Sequence, residues 1–276
     1  IVQMRQTIEA QNCQPFNYGT SDAKTLTLSF YAKANASKTY GVSLWKRDTT
    51  SYYWFQDISV TTSWQRFEIV ISPTAGSTSL ITSSGGAIPN DNGEGLEVSF
   101  VLASGSNYQA TADTWTSNQD FNTSNLDNFL SSTDNTFRVT GVQLEIGSGA
   151  TDFEHLPQDV QLQRCQRYYY QMGPGAQYDP FMVGACNGAN SCYGMVHFPV
   201  EMRGDPALET TGTSADYCVY AGGHNPFPCD SGPTSNTIDK YGMRIYFTCS
   251  NDLVAGEAGE MLTYNSSAYL GFDAEL

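Results

Sequence analysis

Charge is scarce in this chain and unevenly signed. Only 15% of its 276 residues are Asp, Glu, Lys or Arg, and 13 basic side chains stand against 28 acidic ones, for a formal charge of −15. Phosphate neutralisation rewards clustered Lys and Arg, so the balance argues against a nucleic-acid partner. The acidic surplus reads as solubility and suppressed self-association. No apolar run is fit to span a bilayer and no signal peptide is legible, so membrane insertion is not expected. Enzyme signatures are lacking too: no GxSxG elbow, HExxH, phosphate-binding glycine loop or dinucleotide fingerprint occurs. No catalytic residue is assigned, and the chain is read as a non-enzyme.

Histidine is rare, at 155, 197 and 224. His155 lies in a proline-flanked connector and His197 beside Phe198, where structural roles suffice. His224 sits in a Gly/Pro loop and is retained as a candidate contact. The seven cysteines, at 13, 165, 186, 192, 218, 229 and 249, include no CxxC pair of the kind that holds structural zinc. Cys186/Cys192 and Cys218/Cys229 are spaced for disulfides, but an odd count leaves one over, and reduced, buried or loop thiols are expected.

What is plentiful is Gly, Ser, Thr, Asn and aromatic side chains, 13% of the chain being Phe, Trp or Tyr. That mixture suits short strands and many turns, an all-β fold. Residues 25–33 alternate: Leu26, Leu28, Phe30 and Ala32 face one way, Thr27, Ser29, Tyr31 and Lys33 the other. Strands follow at 39–48, 51–60 and 64–72, with Phe67, Ile69 and Ile71 inward and Trp64 read as a core plug. Tyr52 and Trp54 share one strand face, Tyr53 and Phe55 the other, so one pair is expected to point outward or into an oligomer interface. Leu96, Val98, Phe100 and Leu102 give a further inward face, and a polar excursion runs from 104 to 135.

Residues 136–170 organise the chain. Phe137 and Val139 share one phase, Val142, Leu144 and Ile146 the opposite one, and the slip near Thr140 and Gly141 reads as a β-bulge. GSGAT then leads the chain out of the sheet, and Asp159 is placed to cap a short helix carrying Leu162, Cys165 and Tyr169 at helical spacing. The boundary divides the chain into 1–157, a jelly-roll-like β-sandwich, and 158–276, a smaller β-rich C-terminal domain. In the latter, strands are expected at 167–172, 194–200, 217–221, 242–249 and 268–275, with long loops at 173–190 and 222–236.

The segments VTGVQLEIGSGATDFEHLP and RCQRYYY resemble a module that recurs near the C-terminal ends of bacteriophage tail-fibre and other virion proteins. RQTIEAQN at 5–12, YGTSDAKTLTLSFYAKA at 18–34, HFPVEMRGDPAL at 197–208 and the closing DAEL are similar as well. The resemblance implies a carbohydrate-binding-module-like jelly roll followed by a CQRYY-type terminal domain, located in the virion and assembled as a homotrimer. It also implies further sandwich sequence ahead of residue 1.

Sugars are held by aromatic platforms with Asn, Gln and Asp supplying hydrogen bonds. Trp45, Tyr53, Trp54, Tyr108 and Trp115 are therefore candidate glycan contacts in the first domain. Tyr178, Phe181, Tyr193, His224 and Phe227, in or beside the long loops, are candidates in the second. Asp91 and Glu94, in the segment NDNGEG, offer oxygen ligands for a structural calcium. The expected function is host adhesion, with other virion proteins and cell-surface glycan as partners. A capsid decoration or cement protein is the alternative. A polysaccharide-degrading enzyme, using two of Asp91, Glu94 and Glu97, is a third reading.

Overall fold

In the computed structural model, which describes residues 1–223, 226–249 and 253–275, the chain divides into two units, Ile1–His155 and Leu156–Glu275. Among the described residues no helix is long and apolar enough to cross a membrane.

The first unit is built from β1 (Val2–Glu9), β2 (Leu26–Ala34), β3 (Lys38–Lys46), β4 (Tyr52–Val60), β5 (Gln65–Ile71), β6 (Glu94–Ala103) and β7 (Phe137–Ile146). They form two antiparallel sheets, ordered β1-β6-β3-β4 and β5-β2-β7, with the chain crossing repeatedly between them in jelly-roll fashion. The alternation of β2 seats the core. Leu26, Leu28 and Phe30 meet Val42, Leu44, Trp54 and Phe100 of the opposite sheet in one buried cluster. Phe30 stacks on Phe67 at 5.1 Å and meets Phe100 edge-on at 4.9 Å, the arrangements that aromatic quadrupoles favour.

Two expectations for this unit need correction. Neither face of β4 is open: Tyr52 and Trp54 join the sandwich core, while Tyr53 and Phe55 are also buried. The cause is the polar excursion, which folds over the outer face of the four-stranded sheet. Thr116 bridges to Tyr53, and Phe121 packs with Tyr53 and Val101. Trp64 plugs no core. It is 46% exposed, with the Lys33 ammonium 5.2 Å from its ring centroid.

The slip in β7 is a bulge, as its phase change implies. Ser29 pairs with Gln143 and Tyr31 with Thr140, so Gly141 and Val142 together oppose Phe30. Gly141 takes φ +60°, a conformation that costs glycine little. The extra residue returns Leu144 to the inward phase of Phe137 and Val139, and all three pack on the core. Immediately after β7 the motif residues form a polar clasp. The Thr151 N–H and hydroxyl donate to Glu145 Oε1 and Oε2, both at 2.6 Å. Gln143 donates to Glu145 at 2.9 Å and accepts from the Glu154 N–H at 2.8 Å, while Arg66 Nη2 donates to the Thr151 carbonyl. The QLE…AT…FE pattern is thus a device for fixing the chain as it leaves the sandwich.

The second unit begins with α1 (Gln158–Gln166), capped by Pro157 rather than Asp159, which lies in the first turn. None of its side chains is buried, and Leu162 is 55% exposed, so the helical spacing noted there marks no packed face within this unit. The strands are β8 (Tyr169–Met172), β9 (Pro180–Cys186), β10 (Ser191–His197), β11 (Ala207–Thr210), β12 (Tyr217–Ala221), β13 (Phe227–Pro228), β14 (Thr234–Asp239), β15 (Gly242–Thr248), β16 (Ala258–Thr263) and β17 (Leu270–Asp273). A seven-stranded antiparallel sheet, ordered β13-β12-β16-β9-β10-β15-β14, lies with a three-stranded one, β11-β17-β8, around a single core. Tyr217, Met243, Ile245, Phe247 and Met261 of the larger sheet share that core with Leu270 and Phe272 of the smaller.

The span 173–190 is not one long loop, because β9 occupies much of it. Its Gly184 sits opposite Gly194 of β10, where a Cβ would lie 1.8 Å from the Tyr193 carbonyl oxygen. β14 likewise intrudes on 222–236. The thiols are not all reduced, since Cys186 and Cys192, opposed across β9 and β10, are disulfide-bonded. Cys218 and Cys229, the other spacing noted, are not.

Candidate aromatic–arginine binding faces

Register decides what lies on the outer face of the sheet β1-β6-β3-β4. The inward phase of β6 belongs to Leu96, Val98, Phe100 and Leu102, so Glu97, Ser99 and Val101 point the other way. Across the strands they form rows: Thr7, Glu97, Trp45, Tyr53; then Arg5, Ser99, Ser43, Phe55; then Gln3, Val101, Gly41, Asp57.

Trp45, half-buried, stacks on Tyr53 at 5.2 Å, and the Arg47 guanidinium carbon lies 4.0 Å from the Trp45 ring centroid. Burial raises the Tyr53 hydroxyl above its usual range. Glu97 is fully buried and paired: Arg47 at 2.7 Å, Arg5 at 3.5 Å, with the Ser99 hydroxyl donating at 2.9 Å. Arg47 also reaches Glu94 at 2.5 Å. Buried charge is tolerated only when paired in this manner. Around the ledge sit polar atoms without a hydrogen-bond partner in the protein: Gln3 Oε1, Ser43 Oγ, Trp45 Nε1, Asp57 Oδ1 and Asn122 Oδ1. Orphaned groups of this kind cost roughly 1–3 kcal/mol each, which clusters rarely carry without use.

A second aromatic–arginine group lies on the seven-stranded sheet. Tyr193 and Tyr246 are directly opposed with rings 5.5 Å apart, and the Arg244 guanidinium is 5.4 Å from Tyr193. Asn236 Nδ2 donates to the Tyr246 hydroxyl at 3.0 Å. Arg244, and then Asn236, hold that hydroxyl below its usual range by hydrogen bonding to its ionised form. Beside them Val183 and Met195, 64% and 43% exposed, extend an open apolar strip.

The remaining candidates divide by burial. Trp54 is fully buried with Nε1 donating to Asp113 Oδ1 at 3.0 Å, and Trp115 is 1% exposed with Nε1 donating to the Ser72 carbonyl at 2.9 Å. Tyr53 and Phe181 are buried as well. These four are packing residues; an aromatic-rich stretch reads alike whether its rings line a core or a surface. Tyr108 is half-buried against Phe121, Phe227 is half-buried in β13, and Tyr178 is exposed and meets Tyr264 edge-on at 5.9 Å. His224 lies outside the described residues.

Asp91 turns its Oδ1 back to accept from the Gly93 N–H at 2.8 Å, and Glu94 is taken by Arg47. Among the described residues no group of three or more acidic, His or Cys side chains is arranged to hold a metal. Glu97 is sealed between two arginines, so the three acids do not converge on an open cleft. An apolar cavity of about 420 Å³ opens at the sandwich edge among Met4, Ile8, Leu28, Phe100, Val139 and Leu144. Arg5 and Gln6 also line it. Arg5, Arg47, Ser99 and Arg244 were the members missed from sequence, and Glu97 was named only as a possible acid; the strand phase opposite each apolar set was the signal that carried them.

No family model matches the chain, and no curated protein matches it. A solved structure titled "CBM4 structure and function" is similar at 18% identity with a TM-score of 0.28, over 52% of this chain and 61% of that one. The chain thus spans less than two thirds of that structure, and the likeness assigns it neither ligand nor binding residues.

Proposed function

We propose that the chain is a non-catalytic, glycan-binding component of a bacteriophage virion, a fibre-type adhesin acting as a homotrimer. One observation carries the binding half: each unit bears a partly exposed aromatic ring beside an arginine on the outer face of a sheet, Trp45 with Arg47 in the first and Tyr193, opposed to Tyr246, with Arg244 in the second. Aromatic faces accept the C–H faces of sugar rings, and arginine donates to their hydroxyls. The virion half is supported by the ordered run of segments from RQTIEAQN to DAEL. Three copies would multiply weak single sites into avidity without any new contact.

Binding of the full chain to an array of neutral and acidic bacterial oligosaccharides tests this. Trp45→Ala and Tyr193→Ala are each expected to weaken retention about twofold to tenfold, the loss of one stacking contact worth roughly 0.5–1.5 kcal/mol. Retention of no glycan by the wild type, or equal retention by both variants, would overturn the reading.

A further inference from the structure

Two pairs of cysteines face each other as antiparallel partners in the second unit, one within the β9–β10 ladder and one as an isolated bridge just beyond β13 and β15, and only the first is bonded. Cys186 faces Cys192 across β9 and β10, and the next rung is the Asn187 N–H donating to the Ser191 carbonyl at 3.0 Å. Cys229 faces Cys249 as an antiparallel bridge, and the next rung is the Asp230 N–H donating to the Thr248 carbonyl at 2.9 Å. In both, the hydrogen bonds flank the pair instead of joining it. At such non-hydrogen-bonded positions opposed Cα atoms lie about 4.5 Å apart and side chains approach most closely. That separation falls within the range of about 4.4–6.8 Å that disulfides use.

Direction agrees with distance. Cys229 and Cys249 both enter the inner core, with Tyr217 and Phe247. Cys218 is no rival: it pairs with Pro228 in the opposite phase, and its Sγ points to the Leu262 and Thr263 carbonyls at 3.8 and 3.7 Å. We infer that Cys229 and Cys249 form a second disulfide when the chain matures in an oxidising environment.

The bond would staple the end of the sheet that already holds the first. Cys249 donates its N–H to the Asn190 carbonyl, and Leu253 donates to that of Ala189, both in the turn closed by Cys186–Cys192. It would tie β13 and the loop after it to β15, leaving Cys13, Cys165 and Cys218 as thiols. With glutathione disulfide as oxidant, one cysteine thiolate attacks a glutathione sulfur and releases a glutathione thiolate. The second cysteine then displaces the other glutathione, so two protein thiols are oxidised and one glutathione disulfide is reduced to two thiols. Burial raises both protein thiols, Cys249 to about 11. Thiolate is therefore scarce in the folded state, and the bond is acquired during folding or transient opening. This inference does not depend on glycan binding.

The test is to refold the full chain in a glutathione redox buffer, block free thiols and digest without reduction. Trypsin cuts after Arg203, Lys240 and Arg244. A Cys229–Cys249 bond therefore joins peptides 204–240 and 245–276, and Cys186–Cys192 stays inside 168–203 as an internal control. The joined pair is expected, and is expected to persist in Cys218→Ala. Blocked thiols at 229 and 249, with or without the control bond, would overturn the inference, as would a link that vanishes in Cys218→Ala.

Discussion

Trp115→Ala separates packing from ligand contact most sharply. The residue sits in a polar, aromatic-bearing excursion that reads as a binding loop, yet its side chain is 1% exposed, edge-on to Tyr18 at 6.2 Å, with Nε1 donating to the Ser72 carbonyl at 2.9 Å. Truncating a buried Trp costs about 3–5 kcal/mol in lost transfer energy and residual cavity. The Ser72 carbonyl, left without its donor, adds about 1 kcal/mol. In a unit of this size each kcal/mol lowers the midpoint by about 2–4 °C, so the first unit should melt ~8–24 °C earlier. Differential scanning calorimetry reads the shift, and glycan retention is then measured well below the new midpoint, where it should match the wild type. A midpoint within about 2 °C of the wild type, combined with lost glycan retention, would refute the burial argument and return Trp115 to the binding surface.

Two further outcomes follow from the same structure. The Thr151 hydroxyl, then the Thr151 amide, hold the Glu145 carboxyl below its ordinary value of 4.5. Since folding depresses this pKa, the clasp's contribution is fully present above that ordinary value and is lost as pH falls through the depressed one. The Thr151 amide resonance should therefore shift in acid in the wild type and show no such step in Glu145→Gln; an unchanged titration in the variant would remove Glu145 as the cause. Gly184→Ala places a Cβ 1.8 Å from the Tyr193 carbonyl oxygen at the β9–β10 pairing. Overpacking against backbone costs about 3 kcal/mol or more, read as earlier chemical denaturation of the second unit, and a variant as stable as wild type would show that the two strands do not approach so closely.

Much of the fold follows from local pattern. The period-two phases of β2 and β6 named the inward side chains that the core contains, because alternation alone decides which face of a strand is apolar. The Gly141 bulge was legible for the same reason, since one inserted residue is what reverses the phase of a strand partway along its length. In the second unit, β12, β15 and β17 announced themselves, whereas β9, β14 and β16 did not. Their glycines, threonines and prolines score as turns, and only pairing with neighbouring strands makes them strands.

Composition and alternation by themselves determined that this chain is all-β, that its core lies between Leu26, Leu28 and Phe30 and their counterparts, and that it turns out of the sandwich after Ile146. Tertiary structure alone decided which aromatics meet solvent. The excursion at 104–135 folds over the outer face of the four-stranded sheet, burying Tyr53 and Phe55 and leaving Trp45 at the rim, while its own Trp115 enters the sandwich core. It also brought Arg5, Arg47 and Glu97 together from three strands. Such side chains lie dozens of residues apart in the chain, so no local period links them. Their meeting is set by strand order and register, which only the folded sheet supplies.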